Sequence, residues 1–432
     1  MPPRLWPSGL ARNIRRPSCR FHSSSRVIRE HDVIVLRQRG IKDPRFHLSP
    51  PLRHDTPIKL TYGAKVNGSD IIGKNFTDNI TDSTGRNVRL QEVTLAQYVA
   101  NSPRVATPIY PQDANMIVSF LDINLPVPGE DADFDAGPAV EIFEAGTGMG
   151  ALTLHLARAI HGANPPVPEK VRQAICTAEY EKHSLPNRIV ADDSALDFAE
   201  APHALKLDDP ETRAAYERHR DSRRAVLHTL DVNPTSSRTA HNLVRYFRRG
   251  MYLADVDFHV CTIRSYLSSQ LALRDHAPFL SHVILDLPAS QEHAGVCVDA
   301  LLPGGKMAVF YPSITQVLEF VVWAEESGQP IKLDRVVELS TSTSNGGVQF
   351  RDGLGGRHWD VKTVGIRKTA AKGVVCRPKV GGLVIGGGFL AVFSRLPRVG
   401  KGEGGTGDED GAEEKGVNEV EESPDEDAAA KI

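Results

Sequence analysis

The sequence predicts an α/β protein: a mostly parallel, Rossmann-like sheet covered by helices on both faces, preceded by a small β domain. Three observations carry this. From Val140 onward, short apolar runs of strand length alternate with segments of helical period. Before residue 90, apolar and polar residues alternate in brief stretches between Gly, Pro, Asn and Asp turns, the pattern of a β module. The stretch EIFEAGTGMGALTLHLARAI (141 to 160) sets Gly146, Gly148 and Gly150 between an apolar run and a helical segment, a junction where open α/β sheets bind ligands.

The chain has 432 residues, 40% hydrophobic and 24% charged, enough for a sizeable core and a second module. Its formal net charge of -3 argues against a uniformly basic nucleic-acid binder, although an acidic tail masks a more basic body. Cys19, Cys176, Cys261, Cys297 and Cys376 stand far apart without a C-x-x-C pair, so neither a zinc site nor a disulfide framework is suggested. No apolar run has the roughly 18 to 20 residues of a membrane-spanning helix.

In chain order, residues 1–29 carry Arg4, Arg12, Arg15, Arg16, Arg20, Arg26 and Arg29, serines at 23 to 25, and no acid before Glu30. This is transit-peptide composition, with removal near RFHSSSRVI, and a basic arm is the alternative. The expected location is the mitochondrial matrix, with the nucleus as alternative. Residues 30–104 are expected to form the N-terminal β domain, in which Thr94 is placed to cap a helix over VTLAQYVANS. Residues 105–398 form the main domain. Its linker ends in a helix from Asp113 onward, and NLPVPGEDADFDAGP reads as a loop. Strand AVEIF, helix ALTLHLARAIHG, strand AVLHTLDV, helix SSRTAHNLVRYFRRG and strand VDFHV follow, then strand HVILDLP, helix QEHAGVCVDALL, turn PGG, strand KMAVFYP and helix ITQVLEFVVWAEES. IKLDRVVEL and GGFLAVFSRL are candidates for an antiparallel edge. A charged insertion at about 161–223 offers helical fragments but no clear sheet strand. Residues 399–432, rich in Gly and Glu, lack the apolar surface to offset ordering and are expected to be disordered.

Three closely spaced glycines after a strand allow φ > 0 and let the backbone approach a ligand, or simply make a sharp strand-to-helix turn. Glu144 precedes them. Asp231 ends the next sheet strand, where a carboxylate accepts both hydroxyls of a ribose or caps the following helix. No Lys or Ser suited to a phosphate follows the glycines, which points to a nucleoside ligand without phosphate, S-adenosylmethionine.

ATPIYPQDA (106 to 114), EAGTGMGALTLHLARA (144 to 159), LDLPAS (285 to 290) and YPSITQVLEF (311 to 320) occur in the order and spacing of the tRNA adenine-N1 methyltransferases that modify the T-loop. The chain resembles that family from about His31 to residue 395, leaving out the presequence, the insertion and the tail. The resemblance implies the α/β fold class of a Rossmann-like S-adenosylmethionine-dependent methyltransferase sheet with a small N-terminal β domain, in a mitochondrial, fungal-type member. It implies S-adenosylmethionine held by Ile109, Glu144, Ala145, Gly146, Thr147, Gly148, Gly150, Asp231, Thr262, Ile263 and Asp286, with Asp286 also the catalytic residue and no metal. Tetramers of one chain, or of this chain with a non-catalytic RNA-binding subunit, are implied too. Ser290 and Gln291 stand where the family often has Pro and Trp, and Thr262 and Ile263 where it usually has Asp or a small residue; both put the walls around the two adenine rings in doubt.

Asp286 follows HVIL at the carboxyl end of a strand, where ligands collect, or else is a turn residue before Leu287-Pro288. Methylation at adenine N1 spreads positive charge to the N6 amine. A carboxylate accepting a hydrogen bond from N6 orients the ring and stabilises that charge. N1 lies on the pairing edge, so a T-loop base must be turned out first. Tyr110, Phe310 and Tyr311 are candidates to stack on it, or are ordinary packing. Arg245, Arg248 and Arg249 in RYFRRG are candidates for tRNA phosphate, or a solvated helix end; Lys59, Lys65 and Lys74 are the other candidates. The alternatives are a non-catalytic tRNA-binding partner subunit and a methyltransferase acting on a protein carboxyl group.

Overall fold

The first strands, β1 (Ile34–Gln38) and β2 (Phe46–Leu48), pair with β5 (Asn79–Thr81) and β6 (Asn87–Glu92) into an antiparallel sheet of order β2-β1-β6-β5, while β3 (Pro57–Lys59) and β4 (Lys65–Asn67) form a hairpin. The alternation seen in the sequence has its cause here. Ile34, Leu36, Ile58, Val66, Ile80, Val88 and Leu90 point into one small core, while Val33, Val35 and Val93 join the core of the main sheet. In this computed structural model the described residues are 26–38, 46–60, 62–181, 199–200, 204–339, 342–345, 359–365, 372–378, 382–385 and 387–397. All of them belong to one compact unit ending at Pro397. Nearly all of the expected transit segment, the middle of the insertion and the acidic tail lie outside them.

Helix α1 (Leu95–Asn101) is capped by Thr94 as the sequence predicts. Its hydroxyl accepts from the Gln97 amide at 3.2 Å and the Gln97 side chain accepts from the Thr94 amide at 3.1 Å. Helix α2 (Pro111–Leu121) begins two residues before Asp113, with Pro111 in the first turn where no amide is needed. The segment read as a loop contains one short exposed helix, α3 (Ala132–Ala136), because Asp131 caps the amides of Asp133 and Phe134.

The main sheet is built from β7 (Val140–Ala145), α4 (Ala151–Ile160), α5 (Glu169–Thr177), β8 (Ala199–Glu200), α6 (Pro210–Asp221), β9 (Ala225–Asp231), α7 (Pro234–Tyr246), β10 (Val256–Val260), α8 (Ile263–Ala272), β11 (Leu280–Leu285), α9 (Gln291–Ala300), β12 (Leu301–Tyr311), α10 (Ile314–Glu326), β13 (Ile331–Leu339) and β18 (Gly388–Arg395). Between the last two run β14 (Ser342–Asn345), β15 (Trp359–Gly365), β16 (Lys372–Pro378) and β17 (Gly382–Ile385), which pair as β14-β17 and β15-β16. The sheet order is β13-β18-β12-β11-β7-β9-β10-β8. Its five central strands are parallel, and β18 and β13 make the antiparallel edge expected of the two late apolar stretches. Alternate residues feed opposite cores: Ile142 and Ile284 pack under α2, α4 and α7, while Phe143, Val283 and Leu285 pack under α8, α9 and α10.

Three expectations need correction. The insertion does supply a sheet strand, since Ala199 and Glu200 pair with Val260 and His259 and cover that edge. The PGG turn lies inside β12, where pairing jumps from Leu280–Leu301 to His282–Lys306 around Gly304 at φ +81°. And α8 is a helix between β10 and β11 where none was expected.

Candidate active site

The chain runs from β7 to β9 and β10 on one side of β7, then to β11 and β12 on the other. The carboxyl ends of β7 and β11 thus border the crevice where strand order reverses, the place open α/β sheets hold ligands. Gly146 to Gly150 leave β7 there and Asp286 leaves β11.

Each glycine has its own reason. Gly146 sits at φ +93°, and a Cβ there would stand 2.1 Å from the Asp286 carbonyl oxygen, so only glycine lets the loop cross β11. Gly150, at φ +85°, would meet Ala240 of α7 at 2.8 Å. A Cβ on Gly148, at φ +54°, would make only ordinary contacts, with the Gly146 carbonyl oxygen at 3.9 Å and the Ala106 Cβ at 4.0 Å, so glycine is wanted there for its backbone conformation. Two glycines therefore serve chain crossings, and the third serves the positive φ of the turn.

The loop amides are spoken for. Those of Gly146 and Thr147 donate to the Leu230 carbonyl at 3.0 and 3.2 Å, that of Gly150 donates to the Thr147 carbonyl at 2.8 Å, and that of Gly148 donates to Asp231 Oδ2 at 3.0 Å. A phosphate cradle needs such amides free, so these four do not form one. Asp231 also accepts from the Asn233 amide at 2.8 Å, and burial raises its pKa. It does not cap α7; Asn233 does that, through the Thr235 amide. A carboxylate has about four acceptor positions, so Asp231 keeps two beyond those it uses among the described residues.

Glu144 departs from its expected role. It is 1% exposed, and its Oε2 accepts from the hydroxyls of Thr153 on α4 and Thr229 on β9, both at 2.7 Å. Burial pushes its pKa up to about 8. The side chain lies beneath the loop and ties β7, β9 and α4 together rather than facing a ligand. Thr147, whose hydroxyl meets that of Thr229 at 2.7 Å, belongs to the same buried group, and Ala145 is buried beside it.

Asp286 is different in kind. Its amide donates to the Ala145 carbonyl at 2.9 Å, which fixes the backbone, yet its carboxylate has no hydrogen bond or ion pair among the described residues. Burial alone pushes its pKa up to about 7. It borders a cleft of about 410 Å³ with Thr107, Ile109, Tyr110, Phe310 and Gly387. Tyr110 and Phe310 are partly exposed in that cleft, whereas Tyr311 is 1% exposed and its hydroxyl donates to Gln291 Oε1 at 3.3 Å. Tyr311 is thus a packing residue with one edge in the cleft. Gln291 holds it, and the Ser290 hydroxyl closes the turn on the Leu287 carbonyl at 2.8 Å, so both departures from the family pattern have structural work. Thr262 caps α8 through the Ser265 amide, and Ile263 is buried in the core under α8.

Of the arginine candidates, Arg245 is corrected, while Arg248 and Arg249 have acidic partners. Arg245 is 3% exposed and donates to the carbonyls of Ile175, Cys176 and Ala178, so it is not open to RNA. Arg248 pairs with Glu92 at 3.3 Å, and Arg249 with Asp32 and Glu169 at 3.6 and 3.3 Å, tying the N-terminal sheet to α5. Lys59, Lys65 and Lys74 are exposed, with Lys59 directly opposite Lys65 in the hairpin. Among the described residues no group of three His, Cys, Asp or Glu is placed to hold a metal ion, and no helix is long and apolar enough to cross a membrane.

No family model matches the chain. A stretch of 76 residues, 18% of this chain, is 38% identical to the tRNA (adenine(58)-N(1))-methyltransferase TrmI of two Thermus thermophilus strains, and it spans a quarter of the length of those relatives. Among solved structures, a SAM-dependent O-methyltransferase from Thermotoga maritima aligns at a TM-score of 0.51 and 15% identity over 87% of this chain and 97% of its own. The tRNA (m1A58) methyltransferase TrmI from Aquifex aeolicus aligns at 0.45 and 14% identity over 87% of this chain and all of its own. The fold is the Rossmann-like one of S-adenosylmethionine-dependent methyltransferases.

Proposed function

We propose that the chain is an S-adenosylmethionine-dependent methyltransferase that methylates N1 of the T-loop adenine, position 58 in the name of its relative, in tRNA. The observation that carries this reading is a partly buried carboxylate, Asp286, that lines the cleft with no hydrogen bond or ion pair among the described residues, set against a glycine loop whose amides are already paired. The fit to the cofactor is good on the loop's own terms: Asp231 keeps acceptor positions for a ribose, and a ligand without phosphate needs none of the paired amides. Gly146, Gly148, Ile109 and Asp231 would hold it.

Bound there, S-adenosylmethionine supplies an electrophilic methyl group on a sulfonium. Asp286 does the rest of the recognition. Its carboxylate accepts a hydrogen bond from the adenine N6 amine, turns the N1 lone pair toward the methyl, offsets the charge that spreads to N6, and takes the N6 proton afterwards. Tyr110 and Phe310 offer ring faces to a base turned out of its stack. Glu144 does not touch the ligand in this scheme; it keeps α4 and β9 in register beneath the loop.

The test is to incubate the purified chain with S-adenosylmethionine and unmodified tRNA and to map N1-methyladenosine by reverse-transcription arrest. Arrest at the T-loop adenine that disappears with Asp286→Ala is expected; methyl transfer to protein carboxyl groups instead would replace this reading. Activity of the chain alone would favour a homotetramer, and activity only with a second subunit a heterotetramer. The mitochondrial address read from residues 1–29 is tested by the location of a fluorescent fusion with and without them.

A further inference from the structure

The acceptor cleft contains a second carboxylate that the sequence reading passed over. Asp113 is the third residue of α2, is 2% exposed, and lines the same cleft as Asp286. The Gly387 amide donates to it, which ties the start of β18 to α2, but its Oδ1 is buried with no hydrogen-bond partner among the described residues. Buried acceptors left unmade are rare in native proteins and call for an explanation, of which a donor brought by a ligand is one. Gly388, at φ +113°, has room for nothing beyond hydrogen, since a Cβ would meet the Phe310 ring at 2.9 Å, so β18 is held close over this end of the cleft. Burial also pushes the Asp113 carboxyl up to about 6.

The chemistry of the acceptor narrows the donor. An adenosine inside an RNA strand has two kinds of hydrogen-bond donor, the N6 amine and the ribose 2′-hydroxyl. On the reading above, N6 belongs to Asp286. Asp113 enters the cleft from the first turn of α2 and Asp286 from the end of β11, so the two carboxylates reach it from different elements.

We propose that Asp113 is a substrate-positioning residue whose free carboxylate oxygen accepts a hydrogen bond from the 2′-hydroxyl of the target adenosine, so that the cleft selects RNA over DNA at that nucleotide. This rests on the adenine reading. Asparagine at 113 keeps an acceptor oxygen for the Gly387 amide but meets the 2′-hydroxyl with a neutral N–H in place of a charged acceptor, which weakens the substrate contact while sparing the structural one.

The experiment uses the full chain, S-adenosylmethionine, and tRNA carrying either ribose or 2′-deoxyribose at the target adenosine. Wild type is expected to lose about ten- to hundredfold in kcat/KM on the deoxy substrate, mostly through KM. Asp113→Asn is expected to show the same loss on normal tRNA and little further loss on the deoxy substrate, with its melting temperature and cofactor affinity unchanged. Equal turnover of the two substrates by wild type, an Asp113→Asn enzyme within twofold of wild type, or two losses that multiply, overturns the proposal. A wild type that makes no N1-methyladenosine on either substrate overturns the adenine reading itself, and this one with it.

Discussion

The glycine loop after β7 and the cleft beside Asp286 are built on opposite principles. On the glycine-loop side the polar groups are closed within the chain: four amides, the Asp231 carboxylate and the Glu144 carboxyl all have protein partners. On the far side, Asp286 has no side-chain partner among the described residues and Asp113 has one oxygen without a partner. A loop satisfied in advance is rigid and keeps its shape whether or not a ligand is bound. A carboxylate largely withdrawn from water without a donor is costly until one arrives, so on the proposed function the acceptor side is where binding energy would be converted into orientation.

That contrast is broken most severely at Asp286. Asp286→Ala is expected to lower turnover by about 10²- to 10³-fold while S-adenosylmethionine binds as before, as seen by single-turnover kinetics beside calorimetry. Gly146→Ala strikes where the two touch. Its Cβ would stand 2.1 Å from the Asp286 carbonyl oxygen and its φ is +93°, so a loss of about 2–4 kcal/mol in urea unfolding is expected, together with weakened cofactor binding. Asp231→Ala removes both the ribose acceptor and the anchor of the Gly148 amide, and cofactor affinity should fall about ten- to hundredfold with smaller change in tRNA affinity.

The smaller effects lie in pH. In the proposed mechanism Asp286 acts as a carboxylate, and burial raises its pKa to about 7, so the active fraction would shrink as pH falls; kcat/KM should drop about tenfold per unit below that value. Glu144 has the opposite consequence for stability. Raised from an ordinary 4.5 to about 8, it holds its proton more tightly folded than unfolded, so its contribution is full below about pH 4.5 and is lost as pH rises through about 8. Glu144→Gln should flatten the fall in melting temperature between pH 6 and 8, a slope of at most about 1.4 kcal/mol per pH unit.

Much of this was legible in the sequence where period and punctuation decide the structure. The alternation of apolar runs gave the parallel strands, Thr94 with Gln97 gave a helix start, and Asp286 fell at a strand end because HVIL reads as a buried strand. Helix α8 was legible too: Thr262 and Ser265 form its cap, and Ile263, Tyr266, Leu267 and Leu271 share one face, but no Gly or Pro sets it off from the strand before it. What the sequence did not carry depends on partners far along the chain. Arg245 resembles a surface cation until its carbonyl partners, 67 to 70 residues away, are seen. Glu144 looks like a ligand residue, and only the two threonines around it show that it faces inward. Asp113 has the guise of an ordinary acid in a first helical turn, because its burial comes from β18, more than 270 residues later.

The division of labour between the two is tested most directly by measuring S-adenosylmethionine affinity calorimetrically for wild type, Asp286→Asn and Asp231→Asn, with methyl transfer to tRNA assayed on the same samples. The account predicts that Asp286→Asn binds the cofactor like wild type and transfers almost nothing, while Asp231→Asn binds it weakly. Loss of cofactor binding in Asp286→Asn, or undiminished transfer by it, would contradict the account.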